Sequence, residues 1–324
     1  MTPSPCCSTA TATTPDYIGD LPNVAVARLT SLGLVRLSGK DTRDFLQRVL
    51  TNDVLHLGDG VALTGYCDPK GRLLGIMRMW LDGDDAVYML IPKASAPAII
   101  KRLKMFVLRD DVTITCAAEG RAFYAITQDA DSVLKAAGCP VPQAGNVVRD
   151  GDTMVLSLPQ ASHVDGLPIG GARAIVIAPE TASFFEKTAD DALFWTSEVA
   201  AGVPTVWPET SGLFVPQAVN LDALHGLSFT KGCYTGQEVI SRLQHIGKTN
   251  RRALWAETTG ALPKPGSDVF ANGEPVGYVV EAAQLGERVF VFMSLLLEAS
   301  SQPLTLDKDG AQRLVLGELP YSVE

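Results

Sequence analysis

The stretch Lys231-Gly232-Cys233-Tyr234-Thr235-Gly236-Gln237-Glu238 places a cation, a thiol, a phenol, an amide and a carboxylate around two glycines. A core segment would fill such positions with apolar side chains. Here the glycines let the backbone bend or come close to a ligand, and their neighbours can donate, accept or attack. Lys231 stands two positions from Cys233, near enough to favour the thiolate over the thiol. A lone cysteine is more often a buried, inert residue, but this polar, glycine-flanked setting favours a reactive or ligand-contacting Cys233. The chemistry expected is the handling of a small polar ligand beside a nucleophilic sulfur.

Two neighbouring stretches extend that expectation. Between Lys231 and Arg252 lie five cations (Lys231, Arg242, Lys248, Arg251 and Arg252) against a single acid, Glu238. In a chain of formal net charge −9 so local a reversal suggests an anion site. Carboxylates are the expected anions, because no GxxxxGK[ST] phosphate loop occurs. Before the motif, Gln217, Asn220 and Asp222 offer two amides and a carboxylate, groups suited to the edge of a hydrogen-bonding ring. The same residues could equally tie a loop together. No GxSxG, HExxH or dinucleotide fingerprint is present, and no complete nucleophile–base–orienter set.

The elements that must position these groups follow from periodicity. At 324 residues the chain suits two or three domains. Leu34–Leu37 alternates as a strand, and Phe45, Leu46, Val49 and Leu50 share one helical face with Asp41 or Thr42 as N-cap. Strands are expected over 63–67, 73–80 and 86–91, a helix over 94–106 and a strand over 112–116. This β-α-β-β-β-α-β order is close to a split βαβ unit. A looser second version follows: strands at 123–127, 153–158 and 174–178, with helices at 131–137, 181–188 and 191–201. Residues 204–250 read as a long, polar, irregular but anchored segment, of the kind that usually carries function. After residue 250, five strands with Gly/Asn/Asp turns predict a small barrel or sandwich.

Composition excludes several classes. The net charge argues against a general nucleic-acid binder, and no apolar run reaches the ~20 residues of a membrane span. Six cysteines without CxxC spacing read as reduced, cytosolic usage rather than a disulfide framework or metal finger. The first 27 residues carry no Lys or Arg and no apolar run, so neither a secretory nor a transit signal fits. Their Thr/Ala/Ser/Pro content, with Cys6-Cys7, reads as a disordered leader, and the cytoplasm is the expected location.

KGCYTGQE resembles the signature of the YgfZ proteins, folate-binding relatives of the glycine-cleavage T-protein. Ser211–Gln217 with Asn220-Leu221, Asn250–Trp255, the Ser38–Gln47 segment and the Cys67-Asp68-Pro69-Lys70-Gly71 turn are similar to that family as well. The resemblance implies an α+β protein: two interleaved ferredoxin-like domains over 25–250 and a C-terminal β-barrel over 251–324, after the leader at 1–24. These would form a cloverleaf around a central hole that takes tetrahydrofolate. It further implies a role in assembling or maintaining iron–sulfur clusters, in particular for enzymes such as the radical tRNA methylthiolase. The partners implied are folate and iron–sulfur enzymes or assembly proteins, with no direct nucleic-acid contact and no membrane. Lys231 and Cys233 would be the functional cation and thiol. Tyr234, Gly236, Gln237, Glu238, Gln217 and Asn220 would contact the folate, and Arg242 or Arg251 its glutamate tail. No equivalent of the T-protein's catalytic aspartate stands in its setting, which argues against glycine cleavage. A folate-dependent one-carbon transferase is the alternative reading.

Overall fold

The computed structural model describes residues 13–247 and 249–323; Cys6-Cys7 and Lys248 lie outside them. In chain order, β1 (Ile18–Gly19) and β2 (Val26–Leu29) precede a first unit. That unit comprises β3 (Leu32–Ser38), α1 (Thr42–Val49), β4 (Ala62–Cys67), β5 (Leu73–Leu81), β6 (Ala86–Pro92), α2 (Ala96–Val107) and β7 (Thr113–Cys116). Its strands form an antiparallel sheet in the order β4-β5-β6-β3-β7. Alternate residues point to opposite faces. Val35, Met77, Met79 and Met89 pack under α1 and α2, whereas Leu34, Ile76, Trp80 and Leu90 enter the largest core. With both faces covered, β6 is buried along its whole length.

A second five-stranded sheet, ordered β2-β8-β11-β10-β9, comprises β2, β8 (Arg121–Ile126), β9 (Val147–Asp150), β10 (Thr153–Ala161) and β11 (Gly171–Pro179). Helix α3 (Ala130–Ala136) packs on one face. The other face supplies Phe123, Leu156, Ile175 and Ile177 to the core shared with the first sheet. Strand β2 pairs with β8 although the entire first unit lies between them in sequence. The order and the segments expected for the first unit agree with the structure. In the second unit β2 and β9 went unread, and residues 181–188 form turns and irregular backbone instead of a helix.

Helix α4 (Asp191–Ala200) is the central element. The Asp190 carboxylate caps it by accepting from the Ala192 N–H, and every residue from Ala192 to Ala200 is buried. A helix buried on every side belongs in a core, and α4 sits among β14, β15, β2 and β10. After α5 (Gln237–His245), strands β12 (Arg251–Thr259), β13 (Asp268–Ala271), β14 (Glu274–Leu285), β15 (Arg288–Leu296), β16 (Leu304–Thr305) and β17 (Val315–Leu316) form one sheet, ordered β16-β13-β14-β15-β12-β17. A bridge between Thr305 and Arg313 links its two ends, so the sheet is nearly closed into a barrel. The leader reading does not hold for residues 13–24. Strand β1 pairs with β14, and the Tyr17 ring packs 5.0 Å from Trp195 and 5.6 Å from Trp207. A single aromatic in a Thr/Ala/Pro run was the signal for this.

Candidate functional site: a thiol loop and a buried ion network

The loop carrying Cys233 is strapped to the end of α1. Ser228 N–H donates to the Thr51 carbonyl (2.9 Å), Lys231 N–H to Ser228 Oγ (3.2 Å) and Thr235 N–H to the Arg48 carbonyl (3.3 Å). Lys231 itself is only 8% exposed. Its Nζ donates to the Leu50 carbonyl at 2.7 Å and the Asn52 carbonyl at 2.8 Å. It also stands 5.1 Å from the centre of the Tyr234 ring. Carbonyls at a helix C-terminus lack partners and carry partial negative charge, so the ammonium acts as a C-terminal clamp. Burial pulls the Lys231 pKa down to about 8, against the nearby Asp53 carboxylate, which favours the charged form. The contacts of Lys231 are therefore with the main chain and a ring. Lys231 thus fixes the loop that carries Cys233.

Cys233 is exposed, whereas Cys67 and Cys139 are buried. Cys116 is disulfide-bonded. Tyr234 is buried with no hydrogen-bond partner for its hydroxyl, and burial raises its pKa. The two glycines of the motif differ in kind. Gly236 has φ +85°, and a Cβ there would lie 2.6 Å from the Asp68 carbonyl oxygen and 2.9 Å from Gly71 Cα. Gly71, at φ +72°, faces Gly236 and Val239 in return. The Asp68-Pro69-Lys70-Gly71 turn and KGCYTGQE thus meet backbone to backbone, a contact only glycine permits. Gly232 has no atom within 4 Å of its Cβ position.

The remaining expected ligand contacts are dispersed. Gln237 and Glu238 begin α5, and Glu238 pairs loosely with Arg242 at 3.8 Å on an exposed surface. Gln217 is fully buried, donating through Nε2 to the Ile240 carbonyl (2.9 Å). Asn220 is also fully buried, in the left-handed region at φ +60°. Its Nδ2 donates to the Ala253 carbonyl (2.8 Å) and its Oδ1 accepts from the Ala253 N–H (3.0 Å). These amides bind the loop to α5 and β12, the arrangement of the loop-tying alternative. Asp222 is taken by Arg252 at 2.8 Å. Arg251 donates to the Val276 carbonyl (3.2 Å) and lines a cavity with Lys70, Arg72 and Tyr278.

Sequence reasoning missed a second centre. A cavity of about 350 Å³, lined by residues of both five-stranded sheets, includes Leu63, Arg78, Ser157, Gln160, Leu224 and His225. Behind Arg78 lies a buried ion network. Glu198 of α4, fully buried, accepts from Arg78 Nη2 through one carboxylate oxygen and from Arg173 Nη1 (2.8 Å) through the other. Arg78 Nε and Arg173 Nη2 have no partner. Glu281 of β14 is buried with neither oxygen bonded, and burial, reinforced by Glu198, raises its pKa well above the carboxylate range. Buried polar atoms are nearly always satisfied, so these unpaired groups mark the network as an unusual feature of the core. The signal was a lone charge inside each apolar run: Arg78 in Ile76–Trp80, Glu198 in Leu193–Val199 and Glu281 in Val279–Ala283. Among the described residues no three His, Cys, Asp or Glu side chains gather to hold a metal, and no helix is long and apolar enough to cross a membrane.

The chain and its fold find counterparts in known proteins. The chain shares 31% identity with the tRNA-modifying protein YgfZ of Serratia proteamaculans over 91% of its own length and 92% of the relative's. With the protein of that name from Escherichia coli O157:H7 it shares 30% over 91% and 93%, and with that from Colwellia psychrerythraea 28% over 94% and 96%. Among solved structures, the glycine cleavage system aminomethyltransferase T of Bartonella henselae superposes with a TM-score of 0.65 over 92% of this chain and 86% of its own, at 13% identity. That likeness establishes the shared mixed α/β fold with its barrel-like sheet. No family model matches the chain. On nearly end-to-end identity with its curated relatives, the chain belongs to the YgfZ family.

Proposed function

We propose that this chain is a tetrahydrofolate-binding accessory protein that supports iron–sulfur enzymes, among them a tRNA methylthiolase, with Cys233 as the working thiol. The observation that carries the reading is the contrast between an exposed Cys233 and the buried Lys231 and tightly packed Gly236 that hold its loop. Evolution of a mere surface loop does not require a buried ammonium, which is costly to desolvate. The names of the relatives, tRNA-modifying proteins, support the tRNA branch of the proposal. The aminomethyltransferase likeness, at 13% identity, brings no activity with it.

The cavity between the sheets suits the ligand. Its volume lies within the usual range for small-molecule sites, and Arg78, which lines it with an unpartnered Nε, is a donor for the acceptor edge of a pterin. Arg78, Ser157, Gln160 and His225 would hold it, with Glu198 orienting the Arg78 guanidinium. When bound, tetrahydrofolate supplies a carrier for one-carbon units. Arg251, assigned from the sequence to the glutamate tail, lines a different cavity and is not kept in that role. The two-lobe division at residue 250 and a cytoplasmic setting belong to the same reading. The test is complementation. A strain lacking the gene should show reduced methylthiolated tRNA, restored by the wild-type gene and not by Cys233→Ala, with tetrahydrofolate binding by the purified variant unchanged. Full rescue by Cys233→Ala refutes the thiol's role, and absence of calorimetric folate binding refutes the ligand.

A further inference from the structure

The cavity beside the thiol loop has a composition that the proposed function leaves unused. It encloses about 540 Å³, is walled by Phe214, Val239 and Leu243, and carries Lys70, Arg72 and Arg251. No carboxylate lines it, and among the described residues none of these three cations forms an ion pair. Arg72 Nη1 donates to the Leu213 carbonyl and Arg251 Nη1 to the Val276 carbonyl. Arg251 also lies 5.7 Å from the Tyr278 ring centre. Those contacts orient the guanidiniums without neutralising them. Three positive charges on one concavity repel each other, and in a chain of net charge −9 this is a local field set for an anion.

We infer that this cavity docks an acidic segment of a partner protein and brings that partner alongside Cys233. The walls decide the class of occupant. RNA is held chiefly through phosphate and sugar, and aliphatic walls give it little. A small free carboxylate would leave most of the volume unfilled. A chain segment alternating carboxylates with apolar side chains satisfies rim and walls together. The apolar surface continues outward, since Val239 is 37% exposed and Ile246 84%. The link to the thiol is direct. Helix α5, which supplies Val239 and Leu243, starts immediately after Gly236, and Gly71, between Lys70 and Arg72, packs against Gly236. The cavity rim and the Cys233 loop are therefore one piece of backbone. Binding does not depend on folate; its consequence for the thiol rests on the reading above.

The experiment uses the full chain and a short fluorescent peptide alternating Glu with Leu and Phe, followed by anisotropy. Saturable binding is expected, weakened about tenfold or more by Lys70→Glu, Arg251→Glu or Val239→Asp, a loss corresponding to about 1.4 kcal/mol per decade. Lys101→Glu, an exposed change on α2, should leave it unchanged and controls for overall charge. The same peptide bearing a pyridyl disulfide should react with the Cys233 thiolate, forming the mixed disulfide and releasing thiopyridone. That reaction should outpace a small pyridyl disulfide through effective concentration, with the acceleration lost in Arg251→Glu and in Cys233→Ser. Binding indifferent to all three site variants overturns the inference. So does tighter binding of bulk tRNA or of p-aminobenzoyl-triglutamate with the same dependence on Lys70 and Arg251, which would reassign the cavity. Tetrahydrofolate affinity, measured in parallel on Arg78→Ala, tests the folate reading separately.

Discussion

The two glycines of KGCYTGQE should respond oppositely to the same substitution. In Gly236→Ala the new methyl would sit 2.6 Å from the Asp68 carbonyl oxygen and 2.9 Å from Gly71 Cα, on a backbone held at φ +85°. The left-handed conformation costs a non-glycine residue about 1–2 kcal/mol, and displacing a packed neighbour costs about 1–3 kcal/mol more. The obstructing atoms are main chain on both sides, so no side chain can swing away. A loss of about 2–5 kcal/mol is expected, a large part of the ~5–15 kcal/mol that keeps a domain folded. Gly232→Ala meets nothing within 4 Å and needs no left-handed backbone, so its stability should stay within about 0.5 kcal/mol of wild type. Urea unfolding followed by tryptophan fluorescence reads both. If Gly236→Ala unfolds at the wild-type midpoint, or Gly232→Ala falls with it, the backbone contact between the turn and the thiol loop is not what requires glycine. A Gly232→Ala protein that is stable yet fails to complement would place the need for that glycine in ligand approach.

Three further outcomes follow from the buried polar groups. Asn220→Ala removes two hydrogen bonds to Ala253 and leaves buried main-chain groups unpaired, for a loss of about 2–4 kcal/mol; a loss below about 0.5 kcal/mol would show that the loop holds without it. Lys231→Met leaves the Leu50 and Asn52 carbonyls without donors and should destabilise. The folded-state pKa of about 8 lies below the ordinary 10.5, so the unfolded chain holds the proton more tightly and wild type gains stability as pH rises between those values. The deficit of Lys231→Met should therefore widen over that interval, and a narrowing deficit would mean the carbonyls outweigh desolvation. For Glu281 the pKa is raised, so its contribution is fully present below about pH 4.5 and is lost as pH rises toward the folded value. Glu281→Gln should gain on wild type in urea midpoint over that range, and parallel pH curves would refute the buried neutral acid.

What the sequence disclosed depended on how far apart the cooperating residues lie. The alternation of Leu34 and Val35 and the one-face spacing of Phe45, Leu46 and Val49 are local, and β3 and α1 appear where they were expected. The chemistry around Cys233 was legible for the same reason, since eight consecutive residues carry it. The role of Lys231 was not. Its acceptors, Leu50 and Asn52, lie about 180 positions away, and proximity in sequence suggested Cys233 instead. The same holds for Arg78, Arg173 and Glu198, which meet only once both sheets have formed around α4. Asn220 misled in another way. An amide in a polar loop reads equally as ligand contact or loop tie, and only its bonds to Ala253 and the Tyr321 hydroxyl show it serving as a tie. Tyr17 was hidden by composition, because an average over a Thr/Ala/Pro segment conceals one anchored ring.

Strand β2 pairs Leu29 with Phe123, 94 positions apart. Closing so long a loop in an unstructured chain costs about 4 kcal/mol in entropy, which one four-residue strand can scarcely offset. The intervening unit, however, returns its own ends to neighbouring positions, since β3 and β7 are paired with Val35 opposite Cys116. Once that unit has folded, the effective loop shrinks to about ten residues, and the closure cost falls to about 2 kcal/mol. Assembly is thus ordered: the first sheet closes early and acts as the clasp that admits β2 to the second. Helix α4 and the Arg78–Glu198–Arg173 network, which need both sheets, come last. The buried ion network is then the final part of the molecule to become rigid on the way in, and a natural first part to loosen on the way out.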